Sequence, residues 1–253
     1  MHSNEIIKLF LTSTLSKLMN IVIYLYNGLT VLDAVGPYEV LSRLPEANVK
    51  FVAKEKGVII SDTHFLKLVA EYDIKEIQSA DILVVPGSVV SFIRESKDKA
   101  VLNWIQKVHQ TTIWTTSVCS GSIILAASGI LQGKKATSHW GAIHMLNEYG
   151  VTPSSIERYI QEGKIITAQG VSAGIDMALF LVGKIIGEEK AKAYQLFIEY
   201  DPNPPYDSGT ITKADAETIS LSKKILTKEA RKDLSLLDAL KNLPSLIKLK
   251  SGS

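Results

Sequence analysis

Nearly unbroken apolar segments alternate with amphipathic stretches along this chain. Residues 20–26 form one apolar segment, and residues 81–88 form another that ends in a glycine turn. Such segments are typical of strands buried on both faces of a sheet. Residues 97–110 predict an amphipathic helix instead, with an apolar face made of Val101, Trp104, Ile105 and Val108.

The remaining segments continue this alternation of strands and helices. Residues 156–161 and 164–168 flank Glu162-Gly163, which predicts a hairpin. Further strands are predicted at 48–53, 58–61 and 112–116, further helices at 33–41, 121–131, 145–149, 176–186 and 188–200, and a rigid proline-rich loop at 201–209. This order predicts an α/β fold, a flavodoxin-like three-layer α/β/α sandwich with a mostly parallel sheet.

The single cysteine, Cys119, lies where a predicted strand gives way to a predicted helix. Ser120 and Gly121 are small, so the backbone can bend sharply after the cysteine. This arrangement is that of a nucleophile elbow with cysteine in the position of serine. A helix N-terminus would favour the thiolate, so we expect a lowered thiol pKa. A buried and unreactive core cysteine is the alternative.

Two more candidate residues have a structural alternative beside the functional one. Asp33 lies at a strand–helix junction, where a carboxylate is often a helix N-cap. His139 either begins a helix or is a partner of Cys119. The turn after residues 81–88 holds Gly87, and turns at strand carboxyl ends are where open α/β sheets bind ligands.

Composition and charge narrow the possible partners. The 253 residues are 46% hydrophobic, and 28 basic against 26 acidic residues give a net charge of +2, which offers no case for nucleic acid. One cysteine excludes a disulfide framework and fits a reducing cytoplasm. No Cys/His cluster has zinc spacing, and no segment predicts a signal peptide or a membrane span. We expect an N-terminal extension over 1–18, one domain over 19–210 and a basic helical tail over 211–253.

Several stretches together resemble the ThiJ/PfpI superfamily, which is related to class I glutamine amidotransferases. They are Leu32-Asp33-Ala34-Val35-Gly36-Pro37, Val85-Pro86-Gly87, Thr116 to Ser122, Leu131 to Trp140, Gly174-Ile175-Asp176 and Glu199 to Tyr206. Within the superfamily they are most similar to the isonitrile hydratases. The resemblance covers residues 20–209 and implies a homodimer without a cofactor or a metal.

The resemblance also implies residue roles. Cys119 matches the nucleophile, and Asp33 matches the acidic residue beside it, which is Glu in the deglycase and protease branches. Ser120 matches a threonine that follows the nucleophile in the hydratase. Gly87 and Ser88 match the turn whose backbone N–H groups form an oxyanion pocket, although many relatives have a second glycine in place of Ser88. His139 matches the histidine of the superfamily.

These roles predict that the protein adds water to an isonitrile, giving an N-substituted formamide through a covalent thioimidate on Cys119. Asp33 would transfer the protons, and Ser120 would orient Asp33 or the water. A glyoxalase or deglycase activity through Cys119 and His139 is the alternative enzyme. A redox sensor that only oxidises Cys119 is the alternative from another class.

Overall fold

A seven-stranded sheet forms the centre of the computed structural model, which describes residues 18–232. The strand order is β5-β2-β1-β6-β7-β11-β10, and every neighbouring pair is parallel except β10 and β11. Its strands are β1 (Met19–Tyr24), β2 (Ala47–Ala53), β5 (Tyr72–Asp73), β6 (Ile82–Val85), β7 (Trp114–Val118), β10 (Tyr159–Glu162) and β11 (Ile165–Ala168). Two separate two-stranded sheets are formed by β3 (Gly57–Ile60) with β4 (Lys67–Ala70) and by β8 (Lys135–Ala136) with β9 (Thr152–Pro153). The mostly parallel sheet is therefore confirmed.

Helices cover both faces of this sheet in two groups. The helices are α1 (Val31–Leu41), α2 (Phe92–Glu95), α3 (Lys99–Thr111), α4 (Gly121–Ala127), α5 (Ala173–Ile186), α6 (Glu188–Phe197) and α7 (216–232). Helices α1 and α6 pack against α5, whereas α2 and α3 pack against α4. The structure is thus the predicted α/β/α sandwich.

Burial follows the apolar pattern of the sequence. Strand β1 is paired on both sides, with Ile21 opposite Ile82 of β6 and Val49 of β2, and its apolar residues 21–24 are fully buried. Helix α3 buries the four apolar residues predicted to share one face. Asp98 is its N-cap, and the Asp98 carboxylate accepts a hydrogen bond from the backbone N–H of Ala100 at 3.0 Å.

Two predicted helix ends and one predicted helix type are wrong. Helix α4 ends at Ala127, since the chain turns through Gly129, whose φ is +85°. The stretch before residue 150 is a 3₁₀ helix from Ile143 to Tyr149. Helix α6 ends at Phe197, because Glu199 adopts a left-handed backbone conformation with φ at +49°.

The strand order brings three loops together at one edge of the sheet. Strand β1 lies between β2 and β6, so the chain reverses direction across the sheet at the junction of β1 and β6. Strand β7 is the next neighbour of β6. The loops that follow β1, β6 and β7 therefore meet at the carboxyl edge beside this switch point, where doubly wound folds bind their ligands.

The two predicted terminal segments are only partly described. Residues 1–17 and 233–253 lie outside the described residues. Within the predicted tail, residues 216–232 form α7, and the carboxylate of Asp215 accepts a hydrogen bond from the Thr218 N–H at 2.7 Å. Between residues 18 and 232, no helix is both long and apolar enough to cross a membrane.

Candidate active site

Cys119 occupies a strained turn between β7 and α4. Its φ is +60°, a left-handed conformation that is rare for residues other than glycine. Its N–H donates to the carbonyl of Ala168 on β11 at 3.0 Å, which extends the sheet pairing up to the turn. This backbone geometry is that of the predicted nucleophile elbow.

The elbow and the turn after β6 lie in close backbone contact. A Cβ atom at Gly121 would lie 2.2 Å from the carbonyl oxygen of Val85, and one at Gly87 would lie 2.5 Å from the Ser120 nitrogen. Side chains at these two positions would force the turns apart. The glycines therefore allow the Cys119 turn to sit directly against the β6 turn.

Asp33 lies in the first turn of α1 and is fully buried. Thr30 occupies the N-cap position, so the N-cap alternative for Asp33 does not hold. The Asp33 Oδ2 atom instead accepts a hydrogen bond from the Gly87 N–H at 2.9 Å, while Oδ1 has no hydrogen-bond partner within residues 18–232. One carboxylate oxygen is thus held in place, and the carboxyl lies beside the side chain of Cys119.

The surroundings of Asp33 raise its pKa to about 8. Burial is the main cause, because it disfavours the charged carboxylate. The nearby negative charge of Asp62 raises this pKa further, whereas the Gly87 N–H and the side chain of Cys119 lower it. A carboxyl with this pKa can both accept and donate a proton near neutral pH.

The expectation of a lowered thiol pKa is wrong. Burial raises the pKa of Cys119 well above its usual value, and the adjacent charge of Asp33 raises it further. The N–H and the hydroxyl of Ser120 lower this pKa, but their effect does not offset burial. Cys119 therefore needs a nearby base to take its proton, and Asp33 is in contact with it.

The Ser120 side chain is hydrogen-bonded to the backbone of Ser88. The Ser120 Oγ accepts a hydrogen bond from the Ser88 N–H at 2.9 Å and donates to the Ser88 carbonyl at 2.8 Å. The Gly87 N–H is likewise already donated to Asp33. The two backbone donors expected to form an oxyanion pocket thus bind side chains in this structure. The Ser120 hydroxyl ties the elbow to the β6 turn.

His139 lies close to the elbow and lines the same cavity as Cys119. Its Nδ1 atom accepts a hydrogen bond from the Gly141 N–H at 3.2 Å, and its ring stacks at a tilt on Trp140. Burial lowers the pKa of His139. The preceding residue, Ser138, donates its hydroxyl hydrogen bond to the Cys119 carbonyl at 3.1 Å, which holds this loop against the elbow.

A cavity of about 120 Å³ opens beside the cysteine. Its lining includes Ser88, Cys119, Ser120 and His139, whereas the candidate residues Asp33 and Gly87 do not line it. The other lining residues, which sequence reasoning missed, are Thr30, Val89, Phe92, Gly141, Ala142, Val171 and Leu226. Of these, only Thr30 could have been expected from the sequence, because it immediately precedes the helix that holds Asp33.

A larger cavity lies elsewhere and is not the candidate site. It measures about 360 Å³, lies between α5 and α6, and is lined in part by Asp176, Lys184 and Tyr200. Cys119 does not line it. Over the described part of the chain, no cluster of His, Cys, Asp and Glu has the arrangement of a metal site.

Known proteins have a similar sequence and a similar fold. The sequence model of the DJ-1/PfpI family matches residues 19–184. An isonitrile hydratase from Pseudomonas putida is 35% identical over 201 residues, which cover 79% of this chain and 86% of that protein. Protein DJ-1 homolog A of Arabidopsis thaliana is 26% identical over 188 residues, which cover 73% of this chain and 47% of that protein.

A solved structure agrees with these matches. The crystal structure of a ThiJ/PfpI family protein from Pseudomonas syringae superposes with a TM-score of 0.79 and 32% identity, covering 86% of this chain and 90% of that one. Sequence and fold thus point to the same group of proteins as the elbow geometry. The chain belongs to the DJ-1/PfpI family.

Proposed function

We propose that the protein is an isonitrile hydratase, which adds water to the terminal carbon of an isonitrile and releases an N-substituted formamide. The observation that carries the proposal is the buried pair of Asp33 and Cys119, of which Cys119 lines a small cavity. Asp33 has one oxygen held by Gly87 and one without a hydrogen-bond partner in the described chain. The similarity to the Pseudomonas putida isonitrile hydratase supports the same reaction.

The first step forms the covalent intermediate. Asp33, as the carboxylate, takes the proton of the Cys119 thiol, and the sulfur attacks the terminal carbon of the isonitrile. Asp33 passes the same proton to that carbon, so one C–S bond and one C–H bond form. The product is a thioimidate, and Asp33 is again a carboxylate, ready for the second step.

The second step releases the product. Asp33 takes a proton from water, the resulting hydroxide adds to the thioimidate carbon, and Asp33 returns the proton to the substrate nitrogen. The hydroxyl of this tetrahedral intermediate then loses its proton to Asp33, and the C–S bond breaks. The formamide leaves, and Asp33 returns its proton to the Cys119 sulfur, which restores the thiol and the carboxylate of the starting state.

The lining of the cavity fits a small uncharged substrate. Among residues 18–232, no lysine or arginine lines it, and burial lowers the pKa of His139, so that ring is neutral at neutral pH. A carboxylate or phosphate on the substrate would therefore find no cationic partner here. An isonitrile carries no net charge and meets this requirement.

The test is an assay with a simple alkyl isonitrile, in which formamide formation is followed by NMR. Cys119→Ala should abolish the product. Asp33→Asn keeps the shape of the side chain but cannot exchange the proton, and it should lower the rate by about two to four orders of magnitude. Ser120→Ala should lower it less, since the hydroxyl bonds to Ser88 and transfers no proton.

The controls are chosen to separate the two enzyme activities. Asp62→Asn removes a nearby carboxylate that accepts a hydrogen bond from the Thr30 hydroxyl at 2.5 Å and takes no part in the proposed proton transfers, so it should leave the reaction measurable. His139→Ala should also leave much of the formamide production. The proposal is wrong if Asp33→Asn keeps nearly full activity, or if the wild type ignores isonitriles while it consumes methylglyoxal in a reaction that needs His139.

A further inference from the structure

One wall of the cavity over Cys119 comes from a helix far along the chain. Leu226 of α7 lines the cavity together with Cys119 and His139, although it lies more than a hundred residues after the nucleophile. The match to the DJ-1/PfpI family covers residues 19–184, so α7 lies beyond the matched part. Leu226 is therefore a wall residue outside the part of the chain that the family model matches.

Helix α7 lies against the domain along one face. Ile219, Ser222 and Leu226 are spaced three and four residues apart and are half-buried. Leu221 and Ile225, on the same helix, are 57% and 55% exposed. The first turns of α7 line a small cavity that is also lined by Trp140, the residue after His139. The helix is therefore oriented with Leu226 toward the site.

The contact of Leu226 with the loop beside His139 is close. A Cβ atom at Gly141 would lie 2.9 Å from the Leu226 Cδ2 atom, and the next nearest atom would be the His139 Nδ1 at 3.3 Å. The leucine side chain thus sits directly on the backbone of Gly141. It occupies space that would otherwise extend the cavity away from the cysteine.

We propose that Leu226 closes the cavity over Cys119 and thereby selects isonitriles with small N-substituents. The proposal of a substrate size rests on the hydratase function, whereas the closing of the cavity does not. At about 120 Å³ the space is smaller than the roughly 150 Å³ cavity that accepts a benzene ring in a protein core. A short alkyl isonitrile fits such a space better than an aryl one.

The first experiment measures access to the thiol and needs no enzyme activity. Cys119 is the only cysteine, so alkylation of the intact protein by iodoacetamide and by the bulkier N-phenylmaleimide reports on one sulfur. Leu226→Ala should raise the ratio of bulky to small reagent rates about tenfold, whereas Leu226→Phe should lower it. Leu221→Ala, a matched loss on the exposed face of α7, should leave the ratio unchanged.

The opposite signs distinguish cavity size from loosening of the helix. A helix that simply detaches would raise the ratio in both Leu226 variants, and this result would overturn the proposal. Equal ratios in the wild type and in Leu226→Ala would also overturn it.

The second experiment measures selectivity in the reaction. Leu226→Ala should raise kcat/KM for an aryl isonitrile, relative to a methyl or ethyl one, by about tenfold. If the alkylation ratio changes as expected but no isonitrile yields formamide, the hydratase function is wrong and the closing role of Leu226 stands. If formamide forms but the alkylation ratio and the selectivity of the variants do not change, the role of Leu226 is wrong and the hydratase function stands.

Discussion

Asp33 is the residue whose position is hardest to reconcile with stability alone. It is fully buried, and in the described chain one of its oxygens lacks a hydrogen-bond partner. Burying a carboxylate in this way costs free energy, and the carboxyl responds by keeping its proton up to pH about 8. Such a perturbed group beside a thiol is typical of catalytic sites, where stability is traded for reactivity.

A neutral isostere at this position should stabilise the protein in a pH-dependent way. The Asp33 pKa is about 8 in the folded protein and about 3.9 in an unfolded chain, so between these values only the folded protein holds the proton. The contribution of Asp33 to stability therefore falls as pH rises from about 4 to about 8, on the order of 1 kcal/mol per pH unit. Asp33→Asn should raise Tm relative to the wild type more at pH 8 than at pH 5.

Thermal melts at the two pH values check this expectation. Ser120→Ala serves as a control, since a serine hydroxyl does not titrate in this range. An Asp33→Asn shift in Tm that is the same at both pH values would contradict a raised pKa for this carboxyl.

The same pKa should appear in the pH dependence of the reaction. The proposed first step begins with Asp33 as a carboxylate, so kcat/KM should rise as pH increases through about 8. The charge of Asp62 raises the Asp33 pKa, and Asp62→Asn should therefore move this rise to lower pH. A pH–rate profile of both proteins measures the shift, and a profile that falls through pH 8 would refute the proposed starting protonation.

At this scale the sequence predicted several of the residues that meet, but not the ionisation of the Cys119 thiol. Cys119, Ser120, Ser88 and His139 line one cavity, with Asp33 in contact with the cysteine. The predicted shift of the thiol pKa has the wrong sign, because burial outweighs the effect of the helix N-terminus. Burial depends on what the rest of the fold places around a side chain, and the local sequence does not contain this information.

At the scale of elements, the site depends on the close approach of two turns. Gly121 of the elbow and Gly87 after β6 have no room for a side chain, since each would meet backbone atoms of the opposite turn. The hydrogen bonds between Ser120 and Ser88 join the same two turns. Asp33 is hydrogen-bonded to the Gly87 N–H, so the backbone contact between the two turns sets the distance between Cys119 and Asp33.

Adding one methyl group at the elbow should separate the two turns. Gly121→Ala places a Cβ atom 2.2 Å from the Val85 carbonyl oxygen, so we expect a loss of stability of roughly 1–3 kcal/mol and a large loss of activity. Gly170→Ala is the matched control, because a Cβ atom there meets nothing within 4 Å. Urea denaturation and the formamide assay measure the two effects, and equal behaviour of the two variants would contradict the role of the close approach.

The elements themselves were largely predictable, whereas their ends were not. The apolar segments of β1 and β6 and the amphipathic pattern of α3 are strong signals, and all three elements are confirmed. The ends of α4 and α6 depend on left-handed residues, Gly129 and Glu199. A glutamate in that conformation carries no local signal, because its neighbours in the fold determine it.

At the scale of the whole molecule, the state of assembly is a prediction that the fold leaves open. Large apolar side chains are exposed at Leu196 and Phe197, at the end of α6. Family resemblance and these exposed side chains favour a homodimer with two-fold symmetry. Sedimentation velocity at micromolar concentration should show a species of twice 27.7 kDa, and a single 27.7 kDa species would contradict it.

The wall formed by Leu226 has a consequence for how the protein is made. Translation produces the Cys119 elbow long before α7, and the N-terminal part of a chain generally begins to fold first. A nascent chain therefore presents its only thiol before the helix that covers it exists. Electrophiles and oxidants have their best access to Cys119 in that interval, and synthesis of α7 ends it.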